Sequence, residues 1–284
     1  MSDVANERAP ETEAETAAET AAGTAAAPGL PKSTVDRTLL ILGTFQNQQR
    51  RQTLSEISRA TGLPIATCYR IVQRLAEWGA LERDAEGRYY IGLRLWQVAA
   101  LAPQPSRLQR AAQSYMQDLF EATGHAVHLA IRDGLELVSV ERFHGGRRPV
   151  PRPIVGGRYP MHATAIGHVL LAYAPYRVRE QVLAGPFERF TSRTLTTRSE
   201  VEAVIERVRR VGYAICDRHV DEFHCSVAAP IHGHSGAVVA ALSVAFTDRD
   251  VNPLTQVDLV RVTARRISLV LKSMGRQADA FPAA

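Results

Sequence analysis

The chain has 284 residues, of which 45% are hydrophobic, 22% charged and 6% aromatic, enough for about two globular domains. No apolar run approaches the ~18 residues of a membrane span, and no basic segment with an apolar core opens the chain as a secretory signal would. Three cysteines at unrelated spacings (Cys68, Cys216, Cys225) exclude a disulfide scaffold or a paired-cysteine metal knuckle, so a cytoplasmic protein with no membrane partner is expected.

Residues 1–31 carry six carboxylates against Arg8, a net charge of −5, which leaves +10 on the remainder of a chain whose total is +5. A body this basic favours a polyanionic partner, nucleic acid first. Arginine outnumbers lysine 32 to 2, a bias that genomic base composition alone would also produce. The 1–31 segment itself is Ala, Thr and Glu closing on Ala-Pro-Gly-Leu-Pro. Without aromatic residues or apolar periodicity it is expected to be a disordered acidic tail.

From Ser33 to Phe45 the spacing of Val35, Leu39, Ile41, Leu42 and Phe45 predicts one helix. Thr53-Leu54-Ser55-Glu56 has the form of a capping box opening a short helix that stops at Thr61-Gly62. Pro64 suits the first turn of the next helix, where Cys68, Ile71, Val72 and Leu75 form a single apolar stripe before Gly79. Leu81–Arg83, a turn over Asp84–Gly87 and Arg88–Ile91 read as a small hairpin. Three helices closed by a hairpin make a winged helix-turn-helix. The third helix places Ala66, Tyr69, Arg70, Gln73 and Glu77 opposite its apolar stripe, with Thr67 and Arg74 on the flanks. Thr67, Tyr69, Arg70 and Gln73 are the candidates for base edges, and Arg74, Arg37, Lys32, Thr53 and Arg88 for the backbone of double-stranded DNA. A lone helix with such a face would more simply be a solvated surface; the capped helix before it and the basic hairpin after it favour DNA.

Leu93–Leu101 reads as a linker helix broken by Pro103 and Pro105. Beyond it come an amphipathic helix ending at Gly124, a hairpin turning at Asp133-Gly134, and a Pro/Gly/Arg-rich loop over His144–Gly157. Helices follow around Ala163–Tyr173 and Ser199–Val211, with strands at Tyr213–Cys216, Ser226–Ile231 and Val238–Phe246. Asn252-Pro253 caps a closing helix through Met274. Strands that are mostly antiparallel among such helices give an α+β fold. The expected division is a tail (1–31), a winged helix-turn-helix (32–92), a linker helix (93–105), an effector domain (106–276) and a flexible C-terminus (277–284).

The order of elements and several motifs resemble the IclR-type family of bacterial transcription regulators over roughly residues 33–275. In the first half the resemblance rests on Leu54-Ser55-Glu56-Ile57, Thr61-Gly62-Leu63-Pro64 and Thr67–Arg70. In the second it rests on Tyr159–Gly167, Gly212-Tyr213-Ala214, Ala228-Ala229-Pro230 and Ala241–Val244. It implies a GAF-like antiparallel-sheet effector domain that binds a small organic acid, aliphatic or aromatic, and a homodimer or dimer of dimers on a pseudo-palindromic operator. It also implies a pocket at Met161, Ile166, Gly167, Cys216, His224, Ser226 and Ser243. His128 is added from its alternation with Val127 and Leu129, against the simpler reading of a satisfied core histidine. Many relatives have Lys-Ser where this chain has Ile65-Ala66, and a more acidic run where it has Cys216-Asp217-Arg218-His219. Ser226 stands where a cysteine is common.

Other chemistry is less well supported. His219, His224, His232 and His234 share a stretch with Cys216 and Cys225, but His232–Gly236 resembles a hairpin turn rather than three or four converging metal ligands, so no metal or cofactor is expected. The alternative to a regulator is an enzyme acting on a small carboxylic acid or amide in the second half. Its candidate pair is Ser226 with His224, two residues apart on one strand face. Neither an oxyanion element nor a third, orienting acid is apparent in the sequence, so no catalytic residue is assigned.

Overall fold

The structure, a computed structural model, describes residues 33–45, 49–145, 155–247 and 251–275. The 1–31 tail, Lys32, the 277–284 terminus and most of the 144–157 loop lie outside the described residues.

The first unit comprises α1 (Thr34–Gly43), α2 (Leu54–Thr61), α3 (Ile65–Trp78) and a two-stranded wing, β1 (Leu81–Arg83) and β2 (Tyr89–Ile91). Ser33 caps α1 through its hydroxyl, and the capping box at α2 is complete: Thr53 Oγ1 accepts from Glu56 N–H while the Glu56 carboxylate accepts from Thr53 N–H. Gly62 and Gly79, both left-handed, end α2 and α3. Pro64 is the N-cap of α3 rather than its first helical residue. Its carbonyl accepts from Thr67 and Cys68 N–H at 2.8 and 3.0 Å, and its missing N–H is not needed there. Ile41, Ile57, Leu63, Cys68, Val72, Leu81 and Tyr89 form the core of this unit.

α4 (Leu93–Ala100) buries none of its residues. The two prolines expected to break it instead open the next helix, α5 (Pro103–Thr123), with Pro103 in its first turn. Proline is tolerated there because first-turn N–H groups have no helical partner. The remaining elements are β3 (Ala126–Asp133), β4 (Glu136–Phe143), β5 (Arg158–Pro160), a 3-10 turn over Met161–Ala163, α6 (Ala165–Ala172), α7 (Tyr176–Leu183), α8 (Arg198–Val211), β6 (Ala214–Asp217), β7 (Cys225–His232), β8 (Val238–Phe246) and α9 (Pro253–Ser273). The sheet runs β5-β4-β3-β8-β7-β6 and every pair is antiparallel. β5 and α7 were not anticipated: β5 is a three-residue edge, and α7 offers little apolar periodicity beyond Val178, Val182 and Leu183.

Period-two alternation divides the sheet between two cores. Leu242, Val244 and Phe246 of β8, with Val127 and Leu129 of β3, face α5 and α9. The opposite face presents small side chains, Ala130, Ala228, Ala241 and Ser243, towards α6 and α8. Large residues on one face seal it, whereas small ones on the other leave space under the helices. No helix among the described residues is long and apolar enough to cross a membrane.

Candidate functional site

The α2–α3 turn is fixed from within. Ser58 Oγ donates to the Leu63 carbonyl at 2.7 Å, Thr61 Oγ1 donates to the Ile57 carbonyl at 2.8 Å, and Leu63 is buried. This anchoring leaves Ala66, Tyr69, Arg70, Arg74 and Glu77 exposed along α3, with Thr67 half-buried. Arg70 and Tyr69 thus project from a rigid helix, as base reading requires. Gln73 departs from expectation: it is half-buried and its amide donates to Tyr89 Oη at 3.2 Å, tying α3 to the wing. Thr53 departs as well, because its hydroxyl is committed to Glu56. Arg74 pairs with Glu77 at 2.8 Å on the exposed surface, an interaction worth little in water. Arg37 is half-buried on α1.

The wing turn is organised by Asp84, which accepts from Arg88 N–H and from Arg51 Nη1, both at 2.8 Å. Arg88 also approaches Asp84 and Glu86 through its guanidinium, at 3.4 and 3.3 Å. Arg51 stacks over Tyr90 at 5.0 Å and adds an exposed cation to the wing that sequence reasoning missed. Its signal was the Arg50-Arg51 pair preceding Gln52, which bridges to Tyr89 as a further rung of the wing.

In the six-stranded unit, the small-residue face and the start of α6 enclose a cavity of about 320 Å³. Its floor crosses five strands: Ser139 on β4, His128 and Ala130 on β3, Ser243 and Ala245 on β8, Ser226 on β7 and Cys216 on β6. Thr164, Ala165 and Ile166 at the head of α6, Tyr159, Phe190 and the His219–Asp221 segment complete the wall. Of the expected pocket residues, His128, Ile166, Cys216, His224, Ser226 and Ser243 line this space. Met161 and Gly167 do not; they pack beneath the α6 start, where a Cβ on Gly167 would stand 2.3 Å from the Met161 carbonyl. Gly167 N–H is taken by the Thr164 cap at 2.9 Å, so a ligand anion at this end would meet the earlier N–H groups of Ala165 and Ile166.

His128 Nε2, Ser139 Oγ, His219 Nδ1 and His224 Nε2 are all buried, all line the cavity, and none has a hydrogen-bond partner among the described residues. His224 Nδ1 is 2.7 Å from Asp221 Oδ1, which also accepts from Phe223 and His224 N–H. Asp221 is therefore the orienting acid that the sequence did not reveal. Among the described residues His224 Nε2 makes no hydrogen bond, to Ser226 or to any other hydroxyl or thiol, so the pair engages no nucleophile there. The clustered histidines divide in space: His232 and His234 sit at the β7–β8 turn, bonded to the Gly236 and Lys272 carbonyls. No group of three or more metal-ligating side chains converges among the described residues.

Burial, reinforced by the positive fields of Arg142, His144 and His224, pushes His128 down to about 3. Burial likewise pushes His168, on the buried α6, down to about 4, although its Nε2 lies 2.7 Å from the His162 carbonyl. Both groups bind fewer protons folded than unfolded, so their contribution is present above the ordinary value of 6.5 and is lost as pH falls towards 3 to 4. The expected result is a melting temperature that declines below pH 6.5, each histidine costing ~1.4 kcal/mol per pH unit at most. A His128→Gln protein should decline less steeply; an unchanged slope would contradict the assignment.

Two family profiles match the chain: the bacterial transcriptional regulator IclR C-terminal domain over residues 103–269, and the IclR helix-turn-helix domain over residues 34–85. The HTH-type transcriptional regulator XynR of Escherichia coli (strain K12) is 30% identical over 213 residues, covering 74% of this chain and 84% of that protein. KdgR of the same organism is 29% identical over 217 residues, covering 75% and 82%. Among solved structures, an IclR homolog from Microbacterium hydrocarbonoxydans complexed with 4-hydroxybenzoate superposes with a TM-score of 0.79 at 29% identity, covering 85% of this chain and all of that one.

Proposed function

Because the chain belongs to the IclR family of bacterial transcriptional regulators, we propose that it binds operator DNA through the winged helix-turn-helix and answers to a small organic acid held in the cavity of the six-stranded unit. Tyr69, Arg70 and Thr67 read base edges; Arg74, Arg88, Arg51, Arg37 and Lys32 hold phosphates; Gln73 and Thr53 keep the reading helix in place. The DNA-binding unit is residues 32–92 and the linker begins at residue 93. The boundary with the effector unit is drawn at Pro103, where α5 starts, instead of at 105. The observation that carries the effector half is the convergence of four unpartnered buried polar atoms on one cavity with an apolar wall. An aromatic acid fits both its volume and its Tyr159 and Phe190 walls, in keeping with the hydroxybenzoate held by the Microbacterium relative.

The working form is a homodimer or a dimer of dimers in the cytoplasm. Leu93, Trp96, Val98 and Leu101 remain exposed on and beside α4, and a second copy of the same helix would cover them. The protein returns its ligand unchanged, a reading supported by an Asp221–His224 pair that engages no nucleophile among the described residues.

A thermal-shift screen of aliphatic and aromatic acids tests the cavity. A ligand that binds only the native state raises the melting temperature with concentration. Ser226→Leu, which fills the floor and removes a hydroxyl, should abolish the shift produced by every hit. Equal shifts in the variant and the parent would remove the cavity from the account.

A further inference from the structure

The cavity contains a carboxylate of its own and, among its described lining residues, no lysine or arginine. Burial works to raise the Asp221 carboxyl, but the hydrogen bonds from His224 Nδ1 and from the Phe223 and His224 N–H groups outweigh it and hold the group below its ordinary value. A ligand entering as a carboxylate therefore brings a second negative charge into about 320 Å³. Like charges so enclosed repel strongly, and the N–H groups of a helix start supply only about half a unit of positive charge.

One group is built to resolve this. The His224 side chain is 15% exposed, its Nδ1 is anchored on Asp221, and its Nε2 is buried without a hydrogen-bond partner among the described residues. The other titratable groups around it are poorly placed to take a proton. His219, on the same loop, and His128, on β3, are both pushed down by burial. Arg142 lies opposite His128 in the β3–β4 pair and, with His144, acts on it as a positive field, and Arg218 is paired with Asp217 at 2.7 Å.

We infer that an acid ligand binds this cavity with net uptake of about one proton, carried on His224 between Asp221 and the ligand carboxylate. Nδ1–H stays on Asp221, Nε2 takes a proton from solvent and donates it to the ligand, and the filled cavity then has the same net charge as the empty one. The inference rests on the acid-effector reading above. It adds that recognition requires a ligand able to accept from an imidazolium, and that effector sensing is linked to pH.

Isothermal titration of the full-length protein with benzoate and 4-hydroxybenzoate, near pH 8 in phosphate, HEPES and Tris, separates buffer ionisation heat from binding heat. The expected slope of observed enthalpy against buffer ionisation enthalpy corresponds to one proton taken up. Affinity should fall about tenfold per pH unit on raising the pH further. His224→Gln should bring the slope to zero, and Asp221→Asn should reduce it. A slope of zero in the parent protein with measurable binding overturns the inference and leaves the acid-effector reading standing. Absence of binding by either acid at millimolar concentration, at any pH from about 6 to 9, overturns both.

Discussion

Arg70→Ala should weaken binding to the operator by about 1–3 kcal/mol and relax the sequence preference. Arg70 is exposed on the face of α3 opposite Cys68 and Val72, on a helix whose entry turn is locked by Ser58 and Thr61. A guanidinium held there presents two parallel donors to a guanine edge, and losing it removes discrimination as well as affinity. Arg88→Ala should behave differently. Its guanidinium lies on the wing beside Asp84 and Glu86, and its proposed role is to meet backbone charge rather than bases. Its loss should lower affinity for every sequence and reduce the slope of log affinity against log salt by about one unit. Fluorescence anisotropy on operator and scrambled duplexes across a salt series distinguishes the two; equal losses on both duplexes for both variants would contradict the division of roles.

Gly167→Ala should destabilise the effector unit by about 1–3 kcal/mol although it adds only one methyl group. The new Cβ would stand 2.3 Å from the Met161 carbonyl oxygen, 2.5 Å from Met161 Cα and 2.6 Å from Thr164 Oγ1. Two of these neighbours are backbone and cannot rotate away. The α6 start must therefore shift, carrying with it the Ala165 and Ile166 N–H groups at the cavity wall. Thermal unfolding should show the loss, and acid hits from the screen should bind the variant more weakly. A variant as stable as the parent would mean that the 3-10 turn accommodates the methyl group.

Features set by local chemistry were legible in the sequence. The Thr53–Glu56 capping box, the Gly62 and Gly79 stops and the alternation of β3, β7 and β8 each depend on residues a few positions apart. Alternation singled out His128 between Val127 and Leu129, and the family resemblance pointed to Ser226 and Ser243; strand pairing brings the three to one cavity. Features that depend on an irregular loop or on long-range closure were not legible. Asp221 and His224 are only three positions apart, but they meet through the irregular 218–224 loop, closed by the Arg218 N–H to the His224 carbonyl at 2.9 Å with Arg218 at φ 60 in the left-handed region. Gln73 turns to Tyr89 because the wing comes within hydrogen-bond reach of α3. Pro103 and Pro105 read as breakers because the sequence does not show whether a proline ends one helix or opens the next. Met161 and Gly167, placed in the pocket by the family resemblance, pack at the α6 start and do not line the cavity.

The central claim, that cavity occupancy alters DNA binding, is tested most directly by one titration. Operator affinity of the full-length protein is measured by anisotropy with increasing concentrations of an acid that raises its melting temperature. Coupling of about 1–3 kcal/mol predicts a change in operator affinity of roughly 5- to 150-fold, saturating at the acid's own binding concentration, with the acid recovered unchanged. Operator affinity that stays constant while the acid saturates the cavity, or an acid consumed during the titration, would contradict the account.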